Sequence, residues 1–517
     1  MSTATKLKLI RGIDHALAGG LVLLLLGGAL AFGGVVWWMR PASALLAASI
    51  AAATLARALL VGRWEVMKSP AFAAFALAIG LGFAQLVPLP AGVARLVAPR
   101  TAATNALGVI PDRILEDDPD FALAEPSPVR SPLSLDRPAT LRWVVGALAC
   151  LATFWVASNF ADRLQHVRVL WGCAVAAFFV NVVLAAVQYA GGVGGLYGHI
   201  TPGSGPAWAP TLDDLAAAPV PSVLRVVGPT KPDRPTLLAA RPLAPFQFGS
   251  LVGGPGAFLA LASLAIPLAL GLALQALAPR GGREGLLLRL RNSGHGSQVV
   301  LTLALTVAGA VLAGMMAGKT ASAPFAAGIA VAGVCGTWSA GLRRVGWAAT
   351  LLLLLALGGG VAIHDLTTAE AVPRVSWLLS AATWRESLAI FRDFPLLGTG
   401  LGAFPTVHPY YKAGDIEPNS AMSALATWAV EAGVVGLGLL SLVVAWAIVR
   451  LPGAIRRVGT ADRALPYALI GSLVAFGLFS TIHWTVELPA VALLAAAVAG
   501  TANRWLAGGT DLFVEHA

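Results

Sequence analysis

Apolar runs long enough to cross a bilayer recur along most of the chain, and they limit the possible folds more than any other feature. A helix needs roughly 20 apolar residues to cross the hydrocarbon core. Runs of about this length lie at 15–38, 42–61, 70–90, 141–160, 167–190, 252–277, 299–317, 323–341, 346–364, 422–449, 466–486 and 488–502. Because the runs are continuous and do not alternate, they favour helices over barrel strands. The sequence therefore predicts an all-α, polytopic membrane helical bundle of about 12 transmembrane helices.

The composition excludes a soluble fold. Hydrophobic residues make up 57% of the chain and charged residues 12%, against about 25% charged in soluble domains. The mean hydropathy is +0.78. Cys150, Cys173 and Cys335 all fall inside predicted spans, so they cannot form an external disulfide framework. The first apolar run follows three basic residues, as in a signal peptide, but its length favours a retained helix.

Basic residues in the short loops predict the orientation. Fourteen lie in the loops on one side of the bundle, whereas only Arg40 and Lys319 lie in the short loops on the other side. The positive-inside rule then places both termini in the cytoplasm. The predicted organisation is a cytoplasmic tail at 1–14, a transmembrane domain at 15–502 and a cytoplasmic tail at 503–517. This orientation places three long loops of the transmembrane domain outside, at 91–140, 191–251 and 365–421. They are the only segments large enough for extramembrane chemistry.

The third outer loop contains a predicted interfacial helix at 374–394. Its aromatic residues recur every seven positions and its arginines lie beside them: Trp377, Trp384, Phe391, Arg374, Arg385 and Arg392. Such a helix lies in the plane of the membrane interface, with its arginines at the depth of lipid phosphates. Two interpretations remain open, namely contact with ordinary phospholipid and binding of a specific phosphorylated lipid.

A glycine-rich segment and a histidine follow this helix. Gly398, Gly400 and Gly402 lack the preceding strand of a dinucleotide fold, so we expect them to permit close backbone approach to another group or to a ligand. His408 is either a general base at the mouth of an outer cavity or a solvated loop residue.

Other candidates lie at predicted outer helix ends. Arg241 and Lys319 are each either a membrane-edge anchor or an anion ligand. The sequence GKT around Lys319 lacks the rest of a Walker motif, since Ala313 replaces a required glycine. His483 and Glu487 either line the same cavity or form a polar cluster at a helix end. The acidic run at 115–121 is more typical of a solvated loop than of a metal site, so we expect no metal there.

Several of these segments together resemble one family. FRDFPLLGTGLGAFPTVHPYYK at 391–412 and PNSAMSALATWAVEAGVVGLGLL at 418–440 resemble the O-antigen ligase and Wzy-type polymerase family. PLSLDRPATLRW at 132–143 and RPLAPF at 241–246 are similar to two further family motifs. The chain is a divergent member by this comparison, because Met422 and Ser423 stand where the family has a His-Asn pair. Lys319 stands where it has an arginine.

The resemblance implies a fold like that of C-superfamily glycosyltransferases, in the bacterial inner membrane. It implies transfer of a glycan from an undecaprenyl-diphosphate carrier to an acceptor hydroxyl on the extracytoplasmic side, in surface polysaccharide assembly. Arg241, Lys319 and Arg385 are the expected clamp for the donor diphosphate, and no metal is required. No cofactor is implied, because the energy for the transfer is already in the diphosphate bond. His408 is the expected replacement base, followed by His483 and Glu487.

The expected partners are the lipid-linked glycan, an acceptor lipid or glycan, membrane lipids and other polysaccharide export components, with no nucleic acid. The alternative function is a non-catalytic binding or export partner for the lipid-linked glycan. A solute transporter is disfavoured, because the ionisable residues gather at the predicted outer edge and not at the bilayer centre.

Overall fold

A computed structural model describes residues 3–62, 69–107, 130–160, 164–191, 197, 254–277, 296–336, 343–367, 373–411, 421, 423–458, 464–483 and 487–508. Arg241 and the rest of the second outer loop beyond Tyr197 lie outside these residues, as does the acidic run at 115–121. The side chains of Arg374 and Trp377 are likewise outside the description.

The described chain is almost entirely helical. Its first half contains α1 (Thr3–Leu30), α2 (Met39–Val61), α3 (Pro70–Leu86), α4 (Ala91–Val97), α5 (Pro99–Leu107), α6 (Arg137–Phe160) and α7 (Leu164–Gly191). Its second half contains α8 (Gly254–Ala276), α9 (Gly296–Ala321), α10 (Ala323–Gly336), α11 (Arg343–Thr367), α12 (Pro373–Asp393), α13 (Phe404–Val407), α14 (Ala424–Arg457), α15 (Ala464–Ile482) and α16 (Pro489–Ala507). A two-stranded antiparallel ladder pairs β1 (Leu89–Pro90) with β2 (Arg130–Ser131).

Ten of the described helices are long and apolar enough to cross a membrane. Two shorter apolar helices, α3 and α10, coincide with two further predicted spans. The all-α polytopic architecture is therefore confirmed, while the total of about 12 spans remains a prediction.

Helix α8 forms the centre of the bundle. Almost all of its side chains are buried, and it packs on α7, α9, α10 and α15. Several of these crossings are close because small residues face one another: a Cβ on Gly271 would lie 2.1 Å from Ala468, and one on Gly328 would lie 2.7 Å from the Gly471 oxygen. Small residues at crossings are the usual means of packing helices when lipid replaces water.

Contacts along the helices place both ends of the described chain on one face of the bundle. Gly34 contacts Pro489, so the end of α1 meets the start of α16 and these two helices run antiparallel. At the shared face, Asp14 pairs with Arg57 at 2.5 Å, and Arg450 donates to the Leu506 oxygen at 3.3 Å. The opposite face carries the residues discussed below.

Candidate functional site

The glycine-rich segment forms a tight loop at 395–403, which we call the glycine loop. Gly398, Gly400 and Gly402 have φ of +71°, +110° and +81°, a region that residues with a Cβ rarely adopt. A Cβ on Gly398 would lie 2.3 Å from the backbone of Glu431, and one on Gly400 would lie 2.5 Å from the Ser134 hydroxyl. The expectation of close backbone approach is confirmed, and the partner of the loop is protein.

Helix α14 is broken where the glycine loop contacts it. Gly433 has φ +63° and ψ −160°, so the helical hydrogen-bond ladder is interrupted there. The loop supplies the missing acceptors: Val434 N donates to the Pro395 oxygen at 2.8 Å and Val435 N to the Leu396 oxygen at 3.2 Å. The loop and the helix break thus satisfy each other's backbone groups.

Gln85, at the end of α3, joins three distant segments. Its side-chain amide donates to the Leu397 oxygen at 2.7 Å and to the Glu431 oxygen at 3.2 Å. Its side-chain oxygen accepts from Leu401 N at 3.0 Å, and its backbone oxygen accepts from Ser134 N at 2.9 Å. Gln85 has no exposed surface, so it acts as a buried connector. Nothing in the local sequence distinguishes it from an ordinary polar residue at a helix end.

The segment at 132–143 is attached to the same loop. Leu135 N donates to the Thr399 oxygen at 2.9 Å. Asp136 caps α6 by accepting from Ala139 N at 2.9 Å, and its other oxygen accepts from the Thr406 hydroxyl at 2.6 Å. Segments that lie more than 250 residues apart in sequence are therefore held together by hydrogen bonds.

Glu431 lies under the glycine loop. It is 5% exposed, and its Oε1 accepts from Phe404 N at 3.0 Å, while the Gly402 amide also donates to its carboxyl group. A buried carboxyl group needs such donors, because the loss of water is otherwise uncompensated. Glu431 thereby fixes the start of α13.

His408 lies beyond α13, in a 3-10 turn at His408–Tyr410, and its environment differs from the expected one. Its side chain has no exposed surface and therefore does not lie at the mouth of a cavity. Its Nε2 lies 2.8 Å from Oε2 of Glu386 on α12, and its ring stacks on Phe404 at 5.1 Å between centroids. Sequence reasoning missed Glu386, since no spacing rule connects it to a histidine 22 residues away.

His483 and Glu487 lie at the turn between α15 and α16, beside the start of α14. The His483 oxygen accepts from Ala424 N at 3.3 Å, and the His483 ring stacks on Phe479. Burial lowers the pKa of His483 to about 4. Burial, with repulsion from Glu431 second, raises the pKa of Glu487 well above its usual range. At neutral pH His483 is therefore uncharged, and Glu487 keeps its proton to a higher pH than an exposed glutamate does.

Two of the three expected cations, Lys319 and Arg385, lie on different described helices. Lys319 lies at the end of α9 and pairs with Asp365 of α11 at 3.0 Å, with 76% of its side chain exposed. Arg385 is exposed on α12, which packs on α14, whereas α9 packs mainly on α7, α8 and α11. The described contacts do not bring Lys319 and Arg385 together, and Arg241 is outside the description. The diphosphate clamp therefore stays a prediction.

Helix α12 has one buried face and one open face. Its buried residues include Thr383, Ser387 and Ile390, and Ile390 packs in a cluster with Phe404, Val407 and Val430. Trp384 and Leu388 are 43% and 49% exposed, and Arg385 and Arg392 are exposed beside them. Apolar and basic side chains thus share the open face, as the pattern of an interfacial helix requires.

Ser423 has a structural role at the start of α14. Ser423 is the N-cap of α14: its hydroxyl accepts from Ala426 N at 3.2 Å and donates to the Thr481 oxygen at 2.8 Å. Met422 is outside the description. A serine N-cap satisfies the helix terminus but provides no base.

We expect Glu487→Gln to change the pH dependence of stability. Folded Glu487 keeps a proton that the unfolded chain loses above pH 4.5, so wild-type stability falls as pH rises from there toward the folded pKa. Glutamine mimics the protonated form and does not titrate. The free energy of unfolding should therefore shift in favour of the variant by up to about 1.4 kcal/mol for each pH unit above about 4.5, until the folded pKa of Glu487 is reached. Unfolding in detergent across this range measures the difference.

His483→Gln is the control for that measurement, because its effect has the opposite sign and a different range. The folded state of His483 does not take up the proton that the unfolded chain binds below pH 6.5, so wild-type stability is lost as pH falls from 6.5 toward 4. A plot of the free energy of unfolding against pH should have a different slope for His483→Gln and wild type only in this acidic range. The prediction for Glu487→Gln is contradicted if its free energy of unfolding differs from that of wild type by the same amount at every pH.

No protein-family model matches this chain, and no curated protein is similar to it in sequence. Among the described residues, no group of three or more His, Cys, Asp or Glu is arranged to hold a metal ion.

Proposed function

We propose that this chain is a metal-independent glycosyltransferase of the O-antigen ligase and polymerase type. It transfers a glycan from undecaprenyl diphosphate to an acceptor hydroxyl on the extracytoplasmic side of the bacterial inner membrane. One observation supports the proposal above others: the segments at 132–143, 395–404 and 431–433 that carry the family resemblance are joined by hydrogen bonds through Thr399, Glu431 and Gln85. We place both termini in the cytoplasm, on the face opposite this network.

The chemistry requires stabilisation of a departing diphosphate. Cations placed at headgroup depth provide it without a metal. Lys319 suits this role, because an exposed ion pair contributes little stability, and a phosphate oxygen can replace the Asp365 carboxylate. Arg385 is exposed on the helix that we place in the interface, and Arg241 completes the proposed clamp.

The carrier lipid requires an apolar surface next to those cations. Trp384 and Leu388 provide exposed apolar area beside Arg385 on α12. A polyprenyl chain that packs there keeps its diphosphate at the level of the arginine, as interfacial aromatic residues do for ordinary lipids.

Deletion of the gene followed by extraction of lipids tests the function. We expect carrier-linked oligosaccharide to accumulate, because the glycan is made but not transferred. Complementation with wild type or with Lys319→Arg should clear the accumulated lipid, whereas Lys319→Met should clear it much more slowly, since it removes the charge at similar length. Mass spectrometry of the undecaprenyl-linked pool measures each case.

An unchanged lipid pool after deletion overturns the proposal. Clearance by Lys319→Met at the wild-type rate removes Lys319 from the clamp but leaves the transferase in place. If the pool accumulates and every variant at an ionisable site residue clears it normally, the chain is a binding or export partner of another enzyme.

A further inference from the structure

We propose that Glu386 is the carboxylate that accepts the proton of the acceptor hydroxyl, and that the buried His408 is a positioning residue that holds Glu386 in place. The inference rests on the proposed function, because it assigns the base of that same reaction. It reverses the order expected from sequence, in which the histidine was the base.

Accessible surface distinguishes the two members of the pair. His408 has no exposed side-chain surface, whereas 13% of the Glu386 side chain is exposed. A base must touch the hydroxyl that it deprotonates, either directly or through one water. Of these two groups, only Glu386 can meet a substrate without a rearrangement of the loop.

The surroundings of His408 fix its position. Its ring stacks on Phe404, and Phe404 N donates to the buried Glu431 carboxyl group. Its backbone oxygen accepts from Tyr411 N at 2.9 Å, which closes the 3-10 turn. A histidine held on both ring and backbone presents its Nε2 at a fixed point, and the 2.8 Å contact then fixes the Glu386 carboxyl group. Such support keeps a reactive group within a narrow range of geometry.

Other described carboxyl groups near the glycine loop have different roles. Asp136 caps a helix, and Asp393 accepts from the Tyr411 hydroxyl and pairs with Arg100 at 3.3 Å. Glu431 is buried beneath backbone amides. Burial raises the pKa of Glu487, so it keeps a proton at pH values where an exposed glutamate is ionised.

The neighbours of Glu386 suit a transfer reaction. Arg385 precedes it on α12 and is exposed. Adjacent residues on a helix diverge by about 100°, so the two side chains flank a surface and do not pair with each other. This arrangement places a carboxylate for the acceptor and a cation for the donor on the same short stretch of helix.

The step balances without a further reactant. The acceptor hydroxyl gives its proton to Glu386 while its oxygen forms a bond to the anomeric carbon of the donor glycan. The bond between that carbon and the diphosphate oxygen breaks, and its electron pair leaves with undecaprenyl diphosphate. The proton then passes from Glu386 to the released diphosphate, which restores the carboxylate.

The test uses membranes from the deletion strain, whose accumulated lipid-linked oligosaccharide is the donor and whose envelope supplies the acceptor. Purified full-length protein is added in detergent, and loss of the donor is followed over time. We expect Glu386→Gln to lower kcat about 100-fold or more, with little change in the KM for donor, because it removes a general base and keeps the volume. Glu386→Asp should retain part of the activity.

Two substitutions of His408 test the positioning role. His408→Phe keeps a ring on Phe404 but removes the donor, and we expect kcat to fall about tenfold or more, as for loss of one hydrogen bond to a charged group. His408→Gln retains an N–H donor and should recover most of that loss. A matched control should show the wild-type rate. His166→Phe alters a histidine that stacks on Phe160 near the opposite face.

The outcomes separate the two proposals. If wild type consumes no donor, the proposed function fails. If wild type is active and Glu386→Gln retains its kcat, the function stands and Glu386 is not the base. If His408→Phe and His408→Gln lose activity equally, His408 has no positioning role through its donor. If a variant fails to accumulate, Glu386→Asp or His408→Asn replaces it. The expected result is again a lower kcat with little change in the KM for donor.

Discussion

Replacement of Gly433 by alanine is expected to destabilise the bundle by at least about 3 kcal/mol. At φ +63° and ψ −160° the backbone occupies a region that is essentially restricted to glycine. An added Cβ would also lie 2.3 Å from the Leu396 oxygen, which itself accepts a hydrogen bond from Val435 N. Relief of the clash requires the glycine loop to leave α14.

Gly438 provides the control for this substitution, because it lies on the same helix and a Cβ added there would meet no neighbouring group within 4 Å. Gly438→Ala should be neutral or stabilising by about 0.5–1 kcal/mol, as expected for a helical glycine. Thermal unfolding in detergent compares the two variants with wild type. If Gly433→Ala and Gly438→Ala unfold at the same temperature, the helix break at Gly433 is not needed to hold the glycine loop on α14.

The sequence predicted the parts of the fold that depend on local pattern. Apolar runs locate the helices, since the length of a run is set by the bilayer and not by tertiary contacts. The glycines of the 395–403 segment also predicted a close approach, because a residue without a Cβ has few other uses in such a loop. Helix α12, with Trp384 and Leu388 exposed, follows from seven-residue periodicity in the same way.

The candidate site was predicted less completely, because its contacts join residues far apart in sequence. Gln85 bonds to Leu401, 316 positions later, and nothing near Gln85 indicates this partner. The expected position of His408 at a cavity mouth was wrong, since its ring stacks on Phe404 and its side chain has no exposed surface. Hydropathy assigns a lone histidine in a polar loop to solvent, and only tertiary packing can reverse that assignment.

Gln85→Leu is the second substitution for which we expect a large effect. Leucine fills a similar volume but removes the donor to the Leu397 and Glu431 oxygens and the acceptor for Leu401 N. The Glu431 oxygen still accepts from Gly400 N at 3.2 Å, whereas the Leu397 oxygen and Leu401 N lose the bond to this side chain. A buried backbone group left without a partner costs about 1–3 kcal/mol, so the free energy of unfolding should fall by about 2 kcal/mol or more. Transfer activity should fall with it, because the glycine loop loses its link to α3.

Gln275→Leu separates the loss of these hydrogen bonds from the general effect of placing leucine in a buried glutamine position. Gln275 on α8 is 8% exposed, and its side-chain oxygen has no hydrogen-bond partner among the described residues. Its replacement by leucine should be neutral or stabilising, because it removes a polar group whose burial is not compensated. If both leucine variants unfold at the wild-type temperature, the Gln85 side chain does not contribute to stability. The glycine loop is then held by its backbone contacts with Glu431 and Gly433 alone.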